Sequence, residues 1–316
     1  MRVAISGASG FLGRHLTDAL LSARTDGAPM ELLLMDARPP EPPGAEIACG
    51  SVELVRCDLL RPAGEVVRQL RGRRVDVLIH LAGLTRHADE SFLVEANMRM
   101  TGTLLDAIDA ERTIVTSSSA VYGQPAEPER TIGEQYPVSP VTAYGRSCAA
   151  RERAAVEALP ASRLFVLRLF NLAGPGQQPV MLIPTVASKL ARMEAGLEPR
   201  LLRLGQLDNV RDYVDVRDAA RAISLLSTTP GGARIPPVMN VCSGKGVSGH
   251  DVVGRLIGMS EVTPEIRASG AYPGSSPVSR IVGDGRLIGR VIGWRPAVAL
   301  ERTLTDVLDY FRAHSA

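Results

Sequence analysis

The chain of 316 residues predicts an α/β fold, a Rossmann-type doubly wound parallel sheet with a smaller C-terminal α/β substrate lobe. Three observations predict it. An apolar strand at the start runs into a glycine-rich turn and then an amphipathic helix. A second apolar strand ends on an acid about 20 residues beyond those glycines. Strands and helical stretches then alternate along most of the chain, as a parallel sheet covered on both faces requires.

The first strand spans Arg2–Ser6, and GASGFLG follows at 7–13. Gly7 permits a tight turn, Gly10 removes a side chain where backbone approaches a pyrophosphate, and Gly13 lets the helix pack close to the strand. With Ser9, Phe11 and Leu12 they form a candidate cofactor loop, because the free N–H groups at a helix start attract phosphate. A glycine pattern alone also fits a plain βα turn. The second strand, 31–35, adds weight by ending on Asp36. An acid there accepts hydrogen bonds from the adenine ribose hydroxyls and repels a 2′-phosphate, which favours NAD over NADP. Arg38 pulls the other way, since an arginine can pair with that phosphate. Four prolines within 39–44 predict a loop.

Further strands are predicted at 53–56, 75–80, 113–117, 163–169 and 238–241. Ligands of such sheets bind at the carboxyl ends of the strands. Those ends hold Gly7, Asp36, Asp58, Ala82-Gly83, Ser118 and Asn171. Residues 1–172 are expected to form the dinucleotide-binding domain, with segments near 211–242 returning to it. Residues 173–316 are expected to form mainly the substrate-binding lobe.

Composition narrows the function classes. Hydrophobic residues make up 45% of the chain and aromatics only 4%, so the core must rest on aliphatic side chains. Net charge is +2 and no basic block occurs, which argues against a nucleic-acid partner. No apolar run reaches the ~18 residues of a membrane helix. No signal peptide is visible. Cys49, Cys57, Cys148 and Cys242 form no CxxC pair and no metal spacing, so they read as reduced thiols, and no metal is expected. A cytoplasmic location follows from these readings. Of 36 basic residues only Lys189 and Lys245 are lysines.

These pieces resemble the extended short-chain dehydrogenases, the family of NAD-dependent sugar-nucleotide epimerases, dehydratases and ketoreductases. GASGFLG (7–13), CDL (57–59), DVLIHLAG (76–83), SSSAVYG (117–123), Tyr144 in VTAYGRSC (141–148), LRLFNLAGPG (167–176), RDYVDVRDAARA (211–222) and GW (293–294) keep the family's order. GPGQ (174–177) and NVCSGKGVS (240–248) are most similar to the GDP-4-keto-6-deoxy-mannose reductases. The resemblance implies that Asp58 and Leu59 contact the adenine and that Leu81, Ala82 and Gly83 line the cofactor's ribose and pyrophosphate. It implies that Asn171 and Arg211 hold the sugar and diphosphate of a nucleotide-sugar substrate. It also implies a homodimer through two helices of each subunit.

Ser118 and Tyr144 fall on the family's catalytic hydroxyls, a serine that hydrogen-bonds the substrate oxygen and a tyrosine that passes its proton. In the family a lysine follows that tyrosine by four residues, one helical turn along the same face. Here the position is Cys148. Free tyrosine ionises at about pH 10, so without a nearby cation Tyr144 is a weak base and a passable acid. Arg146 points to the opposite side of the helix. Arg151 lies on the tyrosine's stripe, and helical side chains lean toward the N-terminus, which lets it reach back. Arg86 and His87 follow Ala82-Gly83 where the family's loop passes the nicotinamide, and His87 can act as acid or base near neutral pH. His80 reads as structural.

Two further departures matter. The family's 4,6-dehydratases carry an Asp-Glu pair after the catalytic serine or threonine, and here Ser119 and Ala120 stand there, which disfavours 4,6-dehydration. An Arg-Pro near the nucleotide base is replaced by Tyr272-Pro273, with Arg280 as the candidate substitute. Three readings remain open at this point. One is a reductase of a nucleotide-linked keto-(6-deoxy)hexose, another an epimerase with tightly held NAD, and the third a binding protein without turnover.

Overall fold

The structure is a computed structural model that describes residues 1–22, 30–38, 50–127, 130–229, 236–268 and 277–314. The proline-rich stretch 39–44 and the Tyr272-Pro273 pair lie outside these residues. In chain order the first half contains β1 (Arg2–Ser6), α1 (Phe11–Ser22), β2 (Met30–Asp36), β3 (Gly50–Arg56), α2 (Ala63–Leu70), β4 (Arg73–His80), α3 (Glu90–Ala107) and β5 (Ile108–Ser118). A 3₁₀ turn (Ser119–Tyr122) leads on to α4 (Ala143–Ala158), β6 (Leu164–Leu169) and β7 (Asn171–Ala173). Then come α5 (Leu182–Glu194), β8 (Leu201–Leu204), β9 (Val210–Asp215), α6 (Val216–Thr228), β10 (Val238–Val241) and β11 (Gly246–Ser248). The last elements are α7 (Gly249–Gly258), β12 (Glu265–Ala268), β13 (Arg280–Ile281), α8 (Arg286–Ile292) and α9 (Leu300–Ala313).

Among the described residues seven parallel strands form the main sheet, in the order β10-β6-β5-β4-β1-β2-β3. Alternation along each strand sends side chains to two separate cores. Val3 and Ile5 of β1 and Leu32 and Leu34 of β2 face one core with Leu16 and Leu20 of α1 and Ile223 and Leu226 of α6. Ala4, Leu33 and Met35 face the other, with Val66 and Leu70 of α2, Leu104 of α3 and Ala155 of α4. Both faces are therefore covered, the arrangement that a doubly wound parallel sheet demands.

Strand order reverses between β1 and β4. There the Leu81 and Ala82 N–H groups donate to the Ser6 carbonyl at 3.1 Å each, which holds the two strand ends together above the crevice. Such a switch point is where these sheets take ligands. His80, at the end of β4, is fully buried, with Nδ1 2.7 Å from Ser6 Oγ and Nε2 3.1 Å from Thr101 Oγ1. Burial and the Arg151 charge hold its imidazole well below the usual range, so it is a neutral packing residue.

A second group of elements stacks over one end of the crevice. Helices α5, α7 and α9 share a core built on Leu190, Leu256, Leu304 and Val307. β9 pairs with β7, β11 and β13, while β8 pairs with β12. Within the stretch 211–242, α6 and β10 pack on or join the main sheet and β9 belongs to the smaller one.

Three buried aspartates of the RDYVDVRD segment fasten these pieces. Asp212 accepts from Ser243 N and Oγ, Gly244 N and Gly283 N. Asp215 caps α6 by accepting from Arg217 N at 2.9 Å and also accepts from Thr303 Oγ1 at 2.7 Å. Asp218 accepts from Ala297 N and Val298 N at 2.8 Å each, and its carbonyl takes the buried Trp294 indole N–H. Each carboxylate satisfies backbone donors that would be costly to bury unpaired.

Candidate active site

The glycine turn follows β1 directly. Gly7 has φ +77°, and a Cβ there would lie 2.7 Å from Ala82 N, so only glycine fits both the turn and the approach of the β4 loop. The Gly7 and Ala8 N–H groups donate to the Met35 carbonyl at 2.8 and 3.2 Å, which locks the turn to β2. The first turn of α1 leaves N–H groups without helical partners, pointing out of the strand ends. Ser9 Oγ is buried there and has no hydrogen-bond partner among the described residues. A phosphate oxygen would satisfy it. Phe11 and Leu12 begin α1 and line the crevice beside Gly10 and Gly13.

Asp36 ends β2 within reach of this turn. Its Oδ2 accepts from Ser9 N at 3.1 Å and its Oδ1 from Arg38 N at 3.2 Å. Arg38 itself is exposed. Asp58 follows β3 and accepts from Leu60 N at 3.0 Å, with Leu59 buried beside it. Asp36, Arg38, Asp58 and Leu59 thus line the strand ends next to the main cavity rather than the cavity itself. These features fit the two ends of a dinucleotide: a carboxylate and apolar contact for an adenosine, and a glycine-rich turn with the buried Ser9 hydroxyl for a pyrophosphate.

The main cavity has a volume of about 1080 Å³ and runs from Gly7 past the ends of β4 and β5 to β7 and β9. Leu81 and Gly83 line its near wall, Ser118 and Tyr144 its middle, and Asn171 and Arg211 its far end. Ser118 closes β5, and its Oγ accepts from Ala120 N at 3.2 Å. Thr142 caps α4 by accepting from Gly145 N at 3.0 Å, which sets Tyr144 in the first turn. Gly145 itself packs against the Ala120 carbonyl and Pro140, fixing that turn beside Ser118. Cys148 is one turn on and almost fully buried. The neighbouring Cys148 sulfur and burial push the Tyr144 phenol above its ordinary range, against the pull of Arg151 and a Ser118 hydrogen bond. Burial likewise raises the Cys148 thiol, so both groups are protonated at neutral pH.

Arg151 ends the same stripe. It is 7% exposed, and it donates through Nη1 to the Thr116 carbonyl at 2.9 Å and through Nη2 to the Ala82 carbonyl. His87 sits on the exposed rim, tilted against Phe92 with ring centroids 4.4 Å apart, and its Nδ1 accepts from Asp89 N. Arg86, also exposed, donates to the Val180 carbonyl at 2.9 Å and so bridges the two sides of the mouth.

At the far end Arg211 donates to the carbonyls of Val210, Ser279 and Val278. Burial lowers its proton affinity somewhat. Asn171 is exposed at the start of β7, opposite Tyr213. Arg280 lies on β13 with its Nε buried and without a hydrogen-bond partner among the described residues, against Gly246 and away from the cavity wall. Gln177, Gln206, Asn209 and Tyr213 also line the far end. Of these, Gln177 stood in the GPGQ stretch and was legible there, and its Oε1 is buried without a partner. Tyr213 stood in the RDYVDVRDAARA stretch, and Gln206 and Asn209 carry no motif that marks them.

The profile of the NAD dependent epimerase/dehydratase family matches residues 3–242. The chain is 31% identical to GDP-6-deoxy-D-mannose reductase of Pseudomonas aeruginosa over 319 aligned positions, covering 97% of this chain and 96% of that protein. Among solved structures it is similar to RMD from Pseudomonas aeruginosa complexed with NADPH, with a TM-score of 0.81, 28% identity and 99% of each chain covered. It is also similar to MoeE5 in complex with UDP-glucuronic acid and NAD, with a TM-score of 0.80, 27% identity, and coverage of 99% and 100%.

Proposed function

Because the chain belongs to the NAD-dependent epimerase/dehydratase family, we propose that it is an NAD-dependent oxidoreductase that reduces a keto group of a nucleotide-linked (6-deoxy)hexose. One observation carries this reading. The Ser118 and Tyr144 hydroxyls share a single cavity with the glycine turn on one side and Arg211 on the other. A sugar bound between them has its reacting carbon beside two proton-handling groups and its diphosphate beside a guanidinium, which suits phosphate oxygens. Bound NAD(H) supplies or takes the hydride. Ser118 orients the substrate oxygen and Tyr144, protonated at neutral pH, gives that oxygen its proton. No carboxylate follows Ser118, so the elimination of water has no acid–base pair here.

In this reading residues 1–172, with the returning α6 and β10, carry the cofactor and residues 173–316 carry most of the sugar nucleotide. Gly7, Ser9, Gly10, Phe11, Leu12, Gly13 and Asp36 hold the dinucleotide with Asp58, Leu59, Leu81, Ala82 and Gly83. Asn171 and Arg211 hold the substrate, with Arg86 and His87 at the mouth. The buried free thiols Cys57, Cys148 and Cys242 are consistent with a reducing cytoplasm. No helix among the described residues is long and apolar enough to cross a membrane. Met98 on α3 and Val156 on α4 are exposed on two helices that pack together, which supports a homodimer through that pair.

The test supplies GDP-, dTDP- and UDP-linked 4-keto-6-deoxyhexoses with NADH or NADPH and follows cofactor oxidation and sugar product together. Stoichiometric NADH oxidation with an alcohol product is expected, and light scattering on the same preparation reads the dimer. Interconversion of sugar epimers without net NADH consumption replaces reduction with epimerisation. Absence of any turnover despite NAD binding rejects both.

A further inference from the structure

A buried positive charge at the floor of the cavity is unexplained by packing. Arg151 is almost fully buried, and among the described residues no carboxylate pairs with it. Its partners are two backbone carbonyls, Thr116 near the end of β5 and Ala82 just past β4, and among the described residues its buried Nε has no partner. An incompletely compensated buried cation is costly to fold around. Nearby Arg168 shows the ordinary solution, a two-point pair with Glu152 at 2.9 and 2.7 Å. Arg151 has no such partner, and it lies where ligands of this sheet bind.

We propose that Arg151 supplies the positive charge of this active site, steadying the Tyr144 oxygen when it gives up its proton and gripping the ribose hydroxyls of the nicotinamide half of the cofactor. The inference rests on the NAD-dependent reading above. Tyr144, Cys148 and Arg151 follow one stripe of α4, at spacings of four and three residues, helical side chains lean toward the N-terminus, and the Arg151 charge acts on the Tyr144 phenol. Gly83 reserves the space, because a Cβ there would collide with the guanidinium. Cys148 completes the arrangement by being small and neutral. A lysine at 148 would press a second cation against Arg151.

The electrostatics point the same way. The groups that face Tyr144 are Cys148 and Arg151 from α4 and Ser118 from β5. Glu152 is turned to Arg168, and His80 on β4 is neutral. Arg151 is the single charge among them that favours the tyrosinate. When Tyr144 donates its proton to a carbonyl oxygen as hydride reaches the carbon, an alcohol forms and a tyrosinate remains until solvent reprotonates it. A cation beside that tyrosinate lowers the barrier. A guanidinium has five N–H donors and two carbonyls do not exhaust them, so donors remain for ribose hydroxyls.

The test compares wild type with Arg151→Met, Arg151→Lys and the double variant Cys148→Lys/Arg151→Met, all checked by thermal melting. NAD⁺ affinity is measured by calorimetry without a sugar substrate, and the pH dependence of alcohol oxidation is measured with one. Arg151→Met should weaken NAD⁺ binding at least tenfold and move the alkaline rise of the oxidation rate at least one pH unit higher. Arg151→Lys should stay within about threefold of wild type, and the double variant should recover most of both losses. Unchanged NAD⁺ affinity and pH profile in Arg151→Met overturn the assignment while leaving the cofactor reading intact. Equal losses in Arg151→Lys and in the double variant, in step with melting temperature, also overturn it, because they mark a structural role. Wild type that does not bind NAD⁺ overturns both readings.

Discussion

We propose that cofactor choice turns on Asp36. Its carboxylate ends β2 and accepts from the Ser9 N–H. A ribose that donates two hydroxyls to it gains charge-assisted hydrogen bonds worth about 1.5–3 kcal/mol each, while a 2′-phosphate meets a like charge. Asp36→Ala should therefore weaken NAD(H) binding at least tenfold and narrow or reverse the preference over NADP(H), since exposed Arg38 then faces the phosphate alone. Titrating both cofactors into both proteins measures it, and an unchanged preference would remove Asp36 from the adenosine site. The local structure at this end was legible in the sequence: Gly7 sits where φ is positive and Asp36 ends its strand. Arg151 was only half legible. Helical periodicity puts it on the tyrosine's face, but what holds it there is two carbonyls and a glycine from distant strands. His87 shows the converse. Its chemistry is suitable, yet it packs on Phe92 at the rim, where Tyr144 is not its neighbour.

Elements in the second half are tied together by charges that periodicity does not announce. Glu194 at the end of α5 takes two bonds from Arg312 on α9, at 2.8 and 2.9 Å, plus Ser260 Oγ at 2.6 Å and Glu261 N at 2.9 Å. The Arg312 guanidinium foremost, with Ser260 and Glu261, holds its carboxyl down at about 2, against an ordinary 4.5. A depressed carboxyl contributes stability that is fully present above pH 4.5 and is lost as pH falls toward 2. Glu194→Ala should cost about 2 kcal/mol at neutral pH. The gap to wild type should close as the pH is lowered through that window. Chemical denaturation at several pH values reads it, and a gap that stays constant down to pH 2.5, on the order of the window's lower end, would assign the loss to packing instead. The alternating strands of the first half were visible because burial on both faces demands long apolar runs. The sequence-read strand at 113–117 is in fact Ile108–Ser118, since its polar first half is paired at the sheet's other end. The pairing of β8 with β12 joins 201–204 to 265–268, and such short, distant partners leave no local signature.

At the scale of the whole molecule, one cavity joins two differently built halves, and Arg211 stands where that joint can be tested. Its side chain leaves β9 and donates to the carbonyls of Val278 and Ser279, so it both lines the far end of the cavity and ties β9 to the segment leading into β13. The two roles predict different behaviour in a ligand-binding melt. A ligand at a hundred times its Kd stabilises the folded state by about 2.7 kcal/mol. If the guanidinium grips the substrate's diphosphate, Arg211→Ala should keep the melting shift given by NAD⁺ and lose most of that given by a nucleotide sugar at the same concentrations. The protein without ligands should melt only a few degrees lower, roughly the cost of one or two hydrogen bonds. Thermal shifts with each ligand alone and with both together separate the cases. Loss of both shifts in parallel would show that the carbonyl bonds to 278–279 shape the cavity as a whole, and would move diphosphate binding to other residues of the far end, where Gln206 and Asn209 already face the same space.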